Sequence, residues 1–201
     1  MPQDRAFARL ELVRRTRVEQ AIDGGRFGQF SKEILQAIAP SGRSLALVRK
    51  LRDDVPRRGA VLLVHGFAQN RYTWHLSTRS FVNYLADGGL DVYNLELTGH
   101  GRGRDYGTAP ARSFDEYVDD TTSVLDAVCA FAGVEKLFVI GHSLGGAVCY
   151  AAATRVPDRI AGLVSVAGLY GFGANPMTLG IARLVRAFNP VASPLRAVGA
   201  S

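Results

Sequence analysis

From residue 60 onward, short apolar runs alternate with helical patterns, and this alternation constrains the fold more than any other feature of the chain. Residues 60–65, 90–95, 136–140 and 160–167 read as buried strands. Between them, 72–87, 113–132 and 144–155 carry helical patterns. Gly88-Gly89 closes the first, and Ser113 with Glu116 opens the second at the spacing of a capping box. Strand and helix alternating at this interval predict an α/β fold, a mostly parallel sheet flanked by helices. The chain has 201 residues, 47% hydrophobic and 21% charged, enough to bury a core without cross-links. Cys129 and Cys149, in apolar helical settings, read as buried thiols rather than a disulfide framework.

The N-terminal part reads differently. Residues 1–40 predict an Arg-rich helical segment, broken at Asp23-Gly24-Gly25, with Phe7, Leu10, Val18, Ala21 and Ile22 as a loose apolar arc. Residues 44–51 have strand character, 41–170 form the α/β core, and 171–201 open a cap or lid with an amphipathic helix through Ile181, Leu184, Val185 and Phe188. The net charge of +6 lies wholly in the first 58 residues. Glu11, Glu19, Asp23 and Glu33 interrupt that basic face and no aromatics interleave it, so a nucleic-acid partner is not expected. No apolar run approaches the roughly 20 residues of a transmembrane segment, and no signal pattern opens the chain, which makes the cytoplasm the default location.

The chemistry concentrates at Gly141-His142-Ser143-Leu144-Gly145, a G-x-S-x-G that follows the apolar strand LFVI and opens a helix. A turn this tight demands small neighbours and pushes the Ser143 hydroxyl out at the carboxyl end of the sheet. The helix start offers the Leu144 N–H to a developing oxyanion, and the earlier strand ends in His65-Gly66-Phe67, whose Phe67 N–H is the expected second donor. His65, Gly66, Trp74, His142 and Tyr170 are the candidate pocket residues, with Phe67 and Tyr72 as apolar walls. The spacing of His65, His75, His100 and His142 suits no metal, and no dinucleotide or phosphate-loop pattern calls for a cofactor.

LLVHGFAQNRYTW, LELTGHGRG and VIGHSLGG, in this order, resemble the α/β-hydrolase family, and residues 79–103 are similar to its lipase and esterase branch. The resemblance covers about residues 44–168 and implies a Ser143 nucleophile, an acyl-enzyme and a small-molecule ester or lipid substrate, with unhindered esters favoured by the H-G-x turn. Serine at that place argues against the epoxide hydrolases and dehalogenases of the fold, which carry aspartate there, and the polyhydroxyalkanoate synthases, which carry cysteine. Glu96 takes the acidic place before Gly99-His100-Gly101, a variation in a structural loop, with His100 packing rather than reacting.

The family order of serine, acid and histidine fails after Ser143. The 58 residues that follow contain no histidine and one acid, Asp158, in a loop expected at the opposite edge of the sheet. His75 is the least constrained substitute base. The chain is therefore expected to be the N-terminal portion of a longer hydrolase, weak or inactive alone, with the strand at 160–167 left as an exposed apolar edge. Two alternatives stand beside this: a non-catalytic binding protein on the hydrolase scaffold, and one half of a split hydrolase whose partner chain supplies the missing strands and base.

Overall fold

A computed structural model describes residues 9–38, 44–106 and 111–168, the side chains of 103, 105 and 106 excepted. Seven strands form one sheet: β1 (Arg9–Asp23), β2 (Arg26–Ile38), β3 (Ser44–Leu51), β4 (Gly59–Val64), β5 (Leu90–Glu96), β6 (Leu137–His142) and β7 (Ile160–Val166). Their order is β1-β2-β3-β5-β4-β6-β7. The first three pair antiparallel with each other and with β5, and β5, β4, β6 and β7 run parallel. Helices α1 (Phe81–Asp87), α2 (Phe114–Ala132) and α3 (Leu144–Arg155) connect the parallel strands, and the α/β-hydrolase fold expected from the sequence is the fold observed.

Side-chain alternation divides the core in two. Leu35, Leu45, Leu47, Leu62, Tyr93 and Leu95 face the side of α2 and α3, where Val118, Leu125 and Val148 meet them. Phe30, Val61, Leu63, Val92 and Ile140 face the side of α1, where Val82 and Ala86 cover them with Trp74. Each fully buried aliphatic side chain contributes about 1.5–3 kcal/mol. Ser113 caps α2 by accepting the Glu116 N–H at 3.3 Å, and Gly133 ends it at φ +69°.

The helical expectation for residues 1–40 is wrong where the structure describes them: they form the β1–β2 hairpin. Gly24 and Gly25, read as a helix break, are the two-residue loop between Asp23 and Arg26, at φ +42° and +96°. Only glycine enters that region freely, so the pair specifies a tight hairpin turn. In β2 the alternation is strict, with Glu33, Leu35 and Ala37 buried on one face and Phe30, Lys32 and Ile34 on the other. The helix expected over 72–87 is also shorter. A 3-10 turn occupies Arg71–Trp74, an isolated bridge joins His75 to Ser80, and α1 starts only after Ser80, whose hydroxyl accepts the Asn83 N–H at 3.1 Å.

On the α2 side, Arg49 crosses from β3 to both neighbouring strands, donating to the Asp91 carboxylate at 2.6 and 2.7 Å and to Glu33 at 2.8 Å. At the far end of the sheet β7 is the last described strand, and its Val164 and Val166 are 51% and 44% exposed. Tyr170 and the cap helix expected beyond 171 lie outside the described residues.

Candidate active site

Ser143 sits between β6 and α3 at φ +52°, ψ −117°, a conformation that side-chain-bearing residues rarely adopt and that costs on the order of 1–3 kcal/mol. Its neighbours show what holds it there. A Cβ on Gly141 would lie 2.4 Å from the Gly145 carbonyl oxygen, one on Gly145 2.4 Å from that of Val64, and one on Gly146 2.5 Å from Ser165 Oγ. All three positions therefore exclude any side chain, and α3 packs against the end of β4. The Ser143 N–H donates to the carbonyl of Val166, the last residue of β7, at 3.0 Å. Leu144 is the first residue of α3, so its N–H lacks an intrahelical partner.

The turn after β4 meets the serine directly. A Cβ on Gly66 would stand 2.7 Å from Gln69 Oε1 and 3.1 Å from both Ser143 Cβ and His142 Nδ1, so a side chain there would crowd this approach. The turn is held by Gln69, whose side-chain oxygen accepts the Gly66 N–H at 3.0 Å, the Thr73 hydroxyl at 3.2 Å and His142 Nδ1–H at 2.9 Å. Sequence reasoning missed Gln69, because a glutamine in a loop carries no periodic or spacing signal. Phe67 follows and is 62% exposed.

The histidines are committed elsewhere. His65 is fully buried, donates Nδ1–H to the Gly66 carbonyl at 2.8 Å and accepts the Leu97 N–H on Nε2 at 3.0 Å. It thus ties the β4 turn to the β5 loop and presents nothing to a pocket, which corrects its place among the candidate pocket residues. Burial, with the nearby His100, pushes its pKa down to about 4. His100 is buried, with Nδ1 2.9 Å from the Thr98 carbonyl oxygen. His75 Nδ1 is 2.6 Å from Ser80 Oγ, and burial plus the charges of Lys50, Lys32 and Arg71 lower its pKa to about 4. Among the described residues no histidine is hydrogen-bonded to Ser143. Trp74 packs edge-on against His142, with ring centroids 6.2 Å apart, and its Nε1 has no partner among the described residues.

Glu96 ends β5 and organises the next loop: it takes Arg71 at 2.9 Å and the Arg102 N–H at 2.7 Å. Gly101, at φ +49°, packs on that carboxylate so closely that a Cβ there has no room. Among the described residues no group of three or more histidine, cysteine or acidic side chains is arranged to hold a metal ion. Nor is any described helix long and apolar enough to cross a membrane.

Residues 55–198 match the Hydrolase_4 family, serine aminopeptidase S33. The chain is an α/β hydrolase of that family. It is similar to epoxide hydrolase B of Mycobacterium tuberculosis, 34% identical over 122 residues that make up 58% of this chain and 32% of that protein. It is also similar to the monoacylglycerol lipase of Mycolicibacterium smegmatis, 27% identical over 139 residues, 68% of this chain and 48% of the lipase. A solved epoxide hydrolase from an endophytic Streptomyces superposes with a TM-score of 0.52 at 25% identity, covering 83% of this chain and 42% of that one. The epoxide hydrolase VrEH1 of Vigna radiata, at 20% identity, TM-score 0.54 and 73% against 41% coverage, shares the fold. The chain thus spans about a third to a half of the length of these curated relatives.

Proposed function

We propose that this hydrolase cleaves carboxylic esters of small molecules or lipids through an acyl-enzyme on Ser143, with the N–H groups of Leu144 and Phe67 receiving the oxyanion. The observation that carries the reading is Ser143 at φ +52° among three glycines that admit no side chain, with Gly66 packed against it. Backbone strain of this kind is found where a side chain must be held out for function, and a strand-to-helix turn carrying a serine is the setting of a nucleophile elbow. Bond chemistry favours esters over the epoxides named for several relatives. Serine attack on an ester carbonyl expels the alcohol and leaves an acyl ester that water can hydrolyse. Serine attack on an epoxide carbon would leave an ether, which water does not cleave. Trp74, Phe67 and Tyr72 then supply apolar walls for the acyl group.

A serine hydroxyl is a weak nucleophile without a base to take its proton. Since the chain's four histidines are bonded elsewhere, full activity requires a base that none of them supplies. The test is hydrolysis of p-nitrophenyl butyrate by the 201-residue chain, with and without added imidazole. Slow turnover that rises with imidazole beyond the free-solution rate and disappears in Ser143→Ala supports the proposal; equal rates in the variant refute it. The committed histidines also favour a second reading, a binding protein on the hydrolase scaffold. Saturable binding of an ester with no Ser143-dependent turnover at any imidazole concentration would select it.

A further inference from the structure

The sheet face beneath α1 carries Lys32, Lys50 and Arg14, which no carboxylate among the described residues pairs. Lys32 on β2 stands directly opposite Lys50 on β3, although only three of the chain's residues are lysine. Arg14 on β1 pairs with Ile34, two residues along β2, which places it diagonally beside Lys32 on the same face. Like charges at directly opposed positions destabilise a sheet, so this arrangement carries a cost. The acids that would offset it are held elsewhere. Glu33 and Asp91 belong to the other face, where Arg49 binds both. Glu96 shares the cationic face but already accepts from Arg71 and from the Arg102 N–H.

The two lysines differ in how they are satisfied. Lys50 is 2% exposed and donates to the side-chain oxygens of Gln20 and Asn83, both neutral partners, beneath the Phe30 ring at 5.7 Å. Lys32 is only half-buried, and among the described residues neither it nor Arg14 has a hydrogen-bond or ion-pair partner. Burial lowers the Lys32 pKa first; the charges of Arg71, Arg102 and Arg14 lower it further, and Tyr72 acts in the opposite direction. With Arg71 offset by Glu96, Arg14 and Lys32 are left as neighbouring cations without a partner among the described residues.

We propose that Lys32, with Arg14, forms a binding site for a phosphate group on the half-open side of this face. A dianionic tetrahedral group offers several acceptor oxygens to cations approaching from different strands, and it offsets more of the local charge than one carboxylate would. The phosphate is either free or the head of a larger phosphate monoester. The site is independent of the ester reading, because it uses neither Ser143 nor its amide donors.

Calorimetric titration of the full chain with inorganic phosphate, at ionic strength held constant with chloride, tests it. One saturable site is expected, weakened at least tenfold in Lys32→Gln and in Arg14→Gln. It should be unchanged within twofold in Lys136→Gln, which removes the same charge from an exposed position, and in Ser143→Ala. Arg14 is exposed, so its variant reads the site even if Lys32→Gln folds poorly. Glycerol 3-phosphate binding more tightly than phosphate would make the ligand a phosphorylated head group, and equal binding would make it free phosphate. No saturable binding, or equal loss in Lys32→Gln and Lys136→Gln, would overturn the proposal.

Discussion

Buried bases with lowered pKa values make stability rise with pH in two separate windows. His65 and His75 have pKa values of about 4 against an ordinary 6.5. The unfolded chain therefore binds protons that the folded chain refuses between those values, and stability is lost as pH falls from 6.5 to 4. Lys50 has its pKa lowered from 10.5 to about 7 by burial and by the charge of Lys32. The folded chain again binds fewer protons, so stability rises as pH climbs from 7 to 10.5. Urea unfolding across pH 4–10 should show both slopes, and Lys50→Met should flatten the alkaline one while leaving the acid one in place. An unchanged alkaline slope in Lys50→Met would contradict the assignment.

At the same scale, some residues announce themselves and others do not. Ser143, Gly141, Gly145 and Gly66 are legible because their geometry is a steric requirement written in residue size. Gln69 and Lys50 are not, since their roles arise from partners 73 and 33 positions away, His142 and Asn83, which only the folded chain brings near. For His65 the sequence admits both a structural role and a place in the pocket, and only the first survives its burial.

Among elements, the parallel half is readable because each strand is a short, largely apolar run bounded by a turn. In the antiparallel half β3 is legible but the β1–β2 hairpin is not, because the Arg-rich β1 spreads its polar residues over both faces and mimics an irregular helix. Gly24-Gly25 is the overlooked signal, a two-residue loop flanked by segments of similar length. Replacing Gly25, at φ +96°, by valine should cost about 1–2 kcal/mol in urea unfolding, the usual penalty for a left-handed side-chain-bearing residue. A neutral result would mean that the turn does not specify the hairpin. Gly145→Ala reads the other joint: its Cβ would strike the Val64 and His65 carbonyl oxygens at 2.4 and 2.5 Å. It should cost at least about 1–3 kcal/mol, as overpacking does, and separate β4 from α3. Wild-type stability in that variant would show that the close approach is not needed.

For the molecule as a whole, the sheet has two unlike edges. β1 ends it with Arg9, Arg14, Arg15 and Arg17, charges that discourage pairing with another chain. β7 ends the described sheet with half-exposed valines and no such charges. Replacing Val164 and Val166 by lysine should therefore reduce concentration-dependent association in analytical ultracentrifugation, and unaltered association would place the sticky surface elsewhere. The order of the strands is not legible in the sequence beyond the parallel core, because pairing of β3 with β5 rather than β4 is settled by the crossover and not by either strand alone.

The proposed ester chemistry depends on Ser143 being set out for attack by the turn that carries it. Labelling of the intact chain with a fluorophosphonate, followed by peptide mapping and with Ser143→Ala as control, tests this most directly. Modification confined to Ser143 and abolished in the variant is the predicted result, at a rate that imidazole raises. Modification spread over other serines, or unchanged in Ser143→Ala, would contradict it.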